Sequence, residues 1–260
     1  MIKSGIVSIT FRNLSPEKIV ALAEKAELSA IEWGGDVHVP HGDTEAARRT
    51  EQMTRDAGLE AAAYGSYYRA AESEKKGLLF ADVLKTAEAL GAPLIRVWAG
   101  SRNPEDADAG YREAVGTDIN RIAEMAAGSG IRIACEFHEG TLTKTAESAA
   151  ALIEETDHDN LSLLWQPPHR ISSAQRSESL QRVMPYLENI HVFHWTDEDG
   201  VRQRRPLSEG ETEWLRDLRA VSGSGTNHYA LLEFVQDDDP ECFLRDAAVL
   251  REWIARVQNS

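Results

Sequence analysis

Residues 93–138 read PLIRVWAGSRNPEDADAGYREAVGTDINRIAEMAAGSGIRIACEFH, and their order decides the fold. Pro93–Ala99 is a short apolar run of strand length. Gly110–Ala127 carries apolar residues at helical spacing, Gly130 stands where a left-handed helix exit is wanted, and Arg132–His138 is a second apolar run. The stretch is one strand–helix–strand unit.

Outward from it the same unit recurs. Apolar runs at Gly5–Phe11, Ala30–Gly34 and Leu59–Tyr64 precede it, and Leu161–Gln166, Ile190–Trp195 and Tyr229–Val235 follow. Helical spacing fills the intervals at Pro16–Glu27, Thr44–Ala57, Lys76–Leu90, Ala146–Glu154, Ser177–Met184, Glu213–Ser222 and Glu241–Val257. Ser15-Pro16-Glu17 and Asp43-Thr44-Glu45 mark helix entries, and Gly58 and Gly91 mark exits. A βα unit repeating roughly every 32 residues, eight times over, predicts an α/β fold: a single (β/α)8 TIM barrel spanning residues 1–260 as one domain. Neither GxGxxG nor GxxxxGK[ST] follows any strand, which weighs against a doubly wound nucleotide-binding sheet. The loops after strands, Tyr64–Lys75, Gly100–Ala109 and Thr196–Thr212, are the longest, and in such a barrel they form the active-site face.

Composition narrows the functions. The 260 residues include 28 Lys and Arg against 43 Asp and Glu, a net charge of −15, which opposes a phosphate-tracking surface and makes nucleic acid an unexpected partner. With 42% hydrophobic and 27% charged residues the chain reads as globular. No apolar stretch reaches the roughly 20 residues of a membrane span, and the start MIKSGIVSITF lacks a signal-peptide pattern, so a cytoplasmic chain without membrane contact is expected. Cys135 and Cys242 show no metal or redox spacing and are expected to be reduced core residues. Nothing here fixes the oligomeric state, and a homo-oligomer stays open.

Candidate chemistry lies at the strand ends. Glu136 and His138, two apart, share one face of the fifth run, and Glu233 interrupts the apolar run Leu231-Leu232-Glu233-Phe234-Val235. A buried carboxylate needs a partner, and Arg96 is one alternative to a catalytic role for Glu233. His191 on the seventh run and Gln166 and His169 at the end of the sixth complete a set of oxygen and nitrogen donors suited to one divalent cation. Arg202, Arg204 and Arg205 cluster in one loop, where they read either as a solvated turn or as a guanidinium clamp for a substrate oxygen. Trp33, Trp98, Trp195, Tyr64, Tyr67 and Tyr68 lie at or beyond strand ends and are candidates for a sugar-binding wall, and His38, beside His41, for a substrate loop.

In their order along the chain these residues resemble the xylose isomerase-like TIM-barrel superfamily of sugar-phosphate isomerases and epimerases. The resemblance runs from Ser8-Ile9-Thr10-Phe11-Arg12 through Ile31-Glu32-Trp33-Gly34 and Ser208-Glu209-Gly210-Glu211-Thr212-Glu213-Trp214 to Leu232-Glu233-Phe234. It implies a metal held by Glu136, His191 and Glu233, with Gln166 where the family usually has Asp, and with His169 and His138 on the substrate. Arg204, Arg205, Trp33, Trp98, Tyr64 and His38 are the further substrate-binding candidates. The implied cofactor is one divalent ion (Mn, Co, Mg or Zn), and the implied partner is a small carbohydrate. The expected reaction is isomerisation or epimerisation, with Glu136 and Glu233 as acid and base moving a proton next to a carbonyl. A dehydratase of the 3-dehydroshikimate or inosose type is the alternative, since Glu136-Phe137-His138 followed by Thr141-Leu142-Thr143 resembles that branch. A sugar-binding barrel without catalysis is a third reading, motivated by Gln166. An endonuclease IV-like role would need more ligands and a basic groove.

Overall fold

In the computed structural model, which describes residues 1–259, the chain alternates strand and helix from end to end. The strands are β1 (Ile2–Val7), β2 (Ala30–Gly34), β3 (Glu60–Arg69), β4 (Leu94–Trp98), β5 (Arg132–Glu136), β6 (Leu161–Trp165) and β7 (Leu187–Val192). A hairpin, β8 (Trp195–Glu198) and β9 (Val201–Arg204), comes next, and β10 (His228–Leu232) completes the set. The helices are α1 (Pro16–Lys25), α2 (Thr44–Asp56), α3 (Phe80–Leu90), α4 (Ala109–Ala127), α5 (Ala146–Thr156), α6 (Ser173–Val183), α7 (Glu211–Ser222) and α8 (Pro240–Gln258). The strands of β1–β7 pair in chain order, and β10 closes the ring between β7 and β1, all parallel. The expected (β/α)8 barrel is therefore observed. Among the described residues no helix is long and apolar enough to cross a membrane.

Local chemistry sets the helix ends. Asp43, Asp108 and Thr145 each accept a backbone N–H in the first turn of α2, α4 and α5, and Ser172 with Gln175 forms a capping box on α6. Alternation along the strands sorts the core. Ala63, Leu94, Ala134 and Leu164 pack together inside the barrel, while their neighbours Ile95, Val97, Ile133, Cys135, Leu163 and Trp165 face the helices. On α8, Phe243, Ala247, Leu250, Ile254 and Val257 keep helical spacing and bury against the barrel, each large side chain contributing about 1.5–3 kcal/mol. Cys135 and Cys242 are free and buried, as expected.

Of the boundaries that differ from the sequence reading, three shape the face that carries the site. Ser8–Phe11, read as the end of the first strand, is a 3-10 turn. The third strand runs on to Arg69, past an irregularity in its pairing with β4. Within 196–212, read as loop, β8 and β9 pair antiparallel around Asp199 and Gly200, both at positive φ (49° and 78°). Asp-Gly is the dipeptide such a turn prefers, and it was the available signal.

Asp246 links α8 to the segment that follows the hairpin. It is 6% exposed, and its Oδ1 accepts from the Leu207 amide at 2.9 Å. Burial pushes its carboxyl up from 3.8 to about 6. The native state then holds this proton more tightly than the unfolded chain, so stability falls as pH rises from about 4 to about 6 and levels off above, by about 3 kcal/mol. Asp246→Asn should keep the contact and remove this loss. Urea unfolding at about pH 4 and about pH 7 is expected to show the variant gaining on the parent by that amount, and an equal decline in both proteins would refute the assignment.

Candidate active site

The inward positions near the C-terminal strand ends carry charge instead of Leu and Ala. Glu32 lies on β2, Arg96 on β4, Glu136 at the end of β5 and His191 on β7, while Gln166 and Glu233 directly follow β6 and β10. All are buried, with Glu32 and His191 at 0% exposure. Buried charges must be paired. Arg96 Nε donates to Glu32 Oε1 at 2.6 Å, and Arg96 Nη1 and Trp98 Nε1 both donate to Glu136 Oε2. His191 Nε2 lies 3.1 Å from Glu32 Oε2, which turns Nδ1 toward Glu233 Oε2 at 3.4 Å and Glu136 Oε1 at 3.7 Å. Gly65 makes the arrangement possible, because a Cβ there would lie 2.5 Å from Arg96 Nη2 and 2.9 Å from Glu32 Oε1.

The protonation states follow from this pairing. Burial alone would raise the Glu32 carboxyl, but the charges of Arg96 and His191 overcome it and hold the pKa at about 2. Glu136 is likewise held below the usual carboxylate range, with burial opposed by Arg96 and His191. For His191 burial works downward, and the Glu233 and Glu32 carboxylates override it, raising the imidazole to about 10. His169 moves the other way, to about 4, through burial and then the nearby Arg202.

The donors suit a divalent cation in type. Glu32, Glu136 and Glu233 set three carboxylates against the Arg96 guanidinium and the His191 imidazole, and His191 Nδ1 and Glu233 Oε2 are buried atoms without a hydrogen-bond partner. Gln166 falls short of an Asp at this place. Its Nε2 donates to the Phe137 carbonyl at 2.5 Å and lies 3.4 Å from Glu136 Oε1, so it brings an N–H and no charge. Among the described residues no group of three or more His, Cys, Asp or Glu side chains is placed to hold a metal ion. Glu136, His191 and Glu233 would have to draw together, and the Gln166 carbonyl oxygen turn inward, to hold one.

Above these groups opens a pocket of about 630 Å³, lined by Arg96, Trp98, Glu136, Gln166 and Glu233 at its inner end. Of the sequence candidates, His138 and His169 also line it. His138 lies against Trp98, ring centroids 4.5 Å apart, and His169 stacks on Trp195 at 5.0 Å. Other candidates lie elsewhere. Trp33 alternates with the inward Glu32, so it faces α2 and donates to Thr54 Oγ1 at 3.2 Å. Tyr64 faces outward too, its hydroxyl on the Val39 carbonyl at 2.8 Å. His38 is buried between Ser8 Oγ and the Leu14 carbonyl, holding the loop after β2 to the β1 corner. Arg204 pairs with Asp238, and Arg205 with Glu209 one helical turn on; the arginine of that loop which lines the pocket is Arg202.

Sequence reasoning missed Glu32 as a site residue. Glu32 interrupts an apolar run as Glu233 does, and that was the signal. Tyr67, one of the aromatics expected near the strand ends, does line the pocket, which it reaches through a left-handed backbone (φ 56°), a conformation that costs a non-glycine residue about 1–2 kcal/mol. Its ring lies 4.8 Å from the Arg96 guanidinium carbon, and its hydroxyl accepts from Arg12 Nη2 at 3.2 Å. Burial pushes the phenol up to about 12, so it stays protonated. Phe234, the residue after Glu233, shares both the positive φ (56°) and a place on the pocket wall.

A closed parallel barrel whose polar groups converge at the C-terminal strand ends is the architecture of TIM-barrel proteins that act on small molecules. Residues 20–253 match the family described as xylose isomerase-like TIM barrel, and the chain belongs to that family. It is similar to a 3-dehydroshikimate dehydratase of Bacillus anthracis, 25% identical over 89% of this chain and 90% of that one. Two solved structures share the fold. A xylose isomerase-like TIM-barrel protein from Mycobacterium smegmatis in complex with magnesium is 16% identical, with a TM-score of 0.78 over 98% of each chain. A D-psicose 3-epimerase from Clostridium cellulolyticum H10, solved with D-tagatose, is 14% identical, with a TM-score of 0.73 over 98% of this chain and 99% of that one.

Proposed function

We propose that this chain is an enzyme that removes a proton from the carbon next to a carbonyl in a small polyhydroxylated substrate, and that elimination of water follows. One observation carries the proposal: the two carboxylates expected to act as a pair are unequal. Glu136 is fixed as an anion by Arg96 and Trp98, whereas Glu233 Oε2 accepts no hydrogen bond and has the His191 Nδ1 atom 3.4 Å away. One such carboxylate serves elimination, taking the proton from carbon and returning it to the departing hydroxyl so that water leaves, or it serves aldose–ketose isomerisation. Epimerisation is served better by two, one on each face. The similarity to a dehydratase along most of the chain favours elimination, while likeness to the epimerase supports only the fold.

Glu136, His191, Glu233 and the Gln166 carbonyl oxygen would hold a divalent ion, which when bound supplies Lewis acidity toward the carbonyl and enediolate oxygens. The chain's own residues do the rest. Glu32 orients His191 through Nε2, and Arg96 holds both Glu32 and Glu136 ionised. Tyr67, as a protonated phenol, can donate to a substrate oxygen, and His169, kept neutral, can orient a hydroxyl without carrying charge.

The test is NMR in D2O on inososes, 3-keto sugars, cyclic hydroxy-keto acids and ketoses, with Mn, Co or Mg present. Elimination would appear as a new vinylic proton together with released water. Deuterium uptake with every hydroxyl retained would instead establish isomerisation or epimerisation, and no exchange with any substrate and metal would overturn the proposal in favour of a binding protein.

Gln166 gives the metal reading its own test. Gln166→Asp replaces an N–H facing Glu136 with a negative oxygen, and Mn affinity should rise by about 1–3 kcal/mol, the worth of a charge-assisted contact. Calorimetric titration reads it directly. Equal affinities in the two proteins would show that residue 166 is not a ligand.

A further inference from the structure

The pocket is larger than the reaction needs, and it is lopsided. A six-carbon sugar displaces about six waters, roughly 180 Å³ at about 30 Å³ each, against a pocket of about 630 Å³. The buried charges line the inner end. On the side of β1–β3 only Ile9, Arg12 and Tyr67 reach the lining, whereas on the side of β5–β7 it continues outward past the strand ends to a polar flank of Thr145 and Glu147 at the start of α5 and Gln175, Glu178 and Ser179 on α6. The chain after β6, β7 and β10 supplies an apolar wall in Pro168, Ile171, Phe193, Trp195 and Phe234. The Trp195 indole N–H is buried with no acceptor.

Nor does its charge call for an anion. Lys144 pairs with Glu105, and Arg202 lies over the Trp195 ring at 4.7 Å with Glu139 at 3.9 Å, so the cations at the rim already face acids. We infer that the substrate is a keto-polyol ring bearing a second, largely apolar group, such as an aryl ketoglycoside, with the ring against Glu136 and Glu233 and the substituent against Phe193, Trp195 and Phe234. This deepens the proposed function and rests on it for the placement of the ring. A substituent of that kind gains affinity by leaving water for the apolar wall, and it needs only one hydrogen bond at the linking oxygen, which the free indole N–H can supply.

Matched pairs of methyl and phenyl β-glycosides in the gluco, galacto and xylo series test this by calorimetry on the intact protein. The phenyl member of at least one pair should bind about tenfold tighter than its methyl partner. Ile171→Glu, on a partly exposed loop position, should shrink that preference to less than about twofold. Equal affinities within every pair, including no detectable binding of either member at millimolar concentration, would overturn the inference, as would an Ile171→Glu variant that keeps the preference. The two proposals fail separately. Proton exchange on unsubstituted substrates without a phenyl preference would remove only this one, and a phenyl preference without exchange on any substrate would remove only the enzymatic reading.

Discussion

Arg96→Met is expected to lower the unfolding free energy by about 3–5 kcal/mol, among the largest losses any single substitution could cause in this barrel. The side chain is 1% exposed and joins Glu32 to Glu136, so its removal leaves two carboxylates in the interior with no guanidinium between them. Methionine fills much of the volume, which confines the effect to charge. Guanidinium chloride unfolding with a chelator present, so that no cation can compensate, is the measurement. Adding Glu32→Gln to Arg96→Met should recover part of the loss, because one of the stranded charges is then gone. A loss below about 1 kcal/mol would mean that His191 alone neutralises the pair.

The second large effect is on turnover. Glu233→Gln should reduce kcat by about 10²–10⁴, the range for losing a positioned general base. Its Oε2 accepts no hydrogen bond but faces His191 Nδ1 at 3.4 Å, so the amide removes one of the two charges that hold that imidazole protonated and should destabilise. Glu136→Gln should also abolish turnover but should destabilise more, since it strips Arg96 and Trp98 of their shared acceptor. This asymmetry separates base from anchor. Equal destabilisation by the two amides would contradict the unequal roles assigned to these carboxylates, and near-normal turnover in either variant would remove that residue from the reaction.

The barrel was legible because its pattern is local and repeated: every unit needs an apolar run, an amphipathic helix and a polar loop, and eight copies reinforce one another. Glu136, His191 and Glu233 were legible for a related reason, since strand parity places them inward once the strands are known. Parity also explains the failures. Trp33 and Tyr64 were chosen as aromatics near strand ends, but each falls on the outward phase, one residue out of step with Glu32 and Gly65. Tyr67 fell among the aromatics read near the strand ends, but its aim could not be found by counting, because the irregular pairing after Gly65 breaks the two-residue period and the left-handed residue redirects the ring. Arg202 was separable from Arg204 and Arg205 only once the hairpin had fixed which acids each one meets.

The hairpin β8–β9 hydrogen-bonds to itself as a separate two-stranded sheet and shares no ladder with the barrel, yet it brings Trp195 and Arg202 to the pocket. Residues there can therefore be exchanged, inserted or deleted without shifting the register of any barrel strand. The linked charges of Glu32, Arg96, Glu136 and His191 have no such freedom, because each change strands a partner. In lineages that share this barrel, selection for a new substrate would act first on the hairpin, while the buried charge network beneath it is inherited whole.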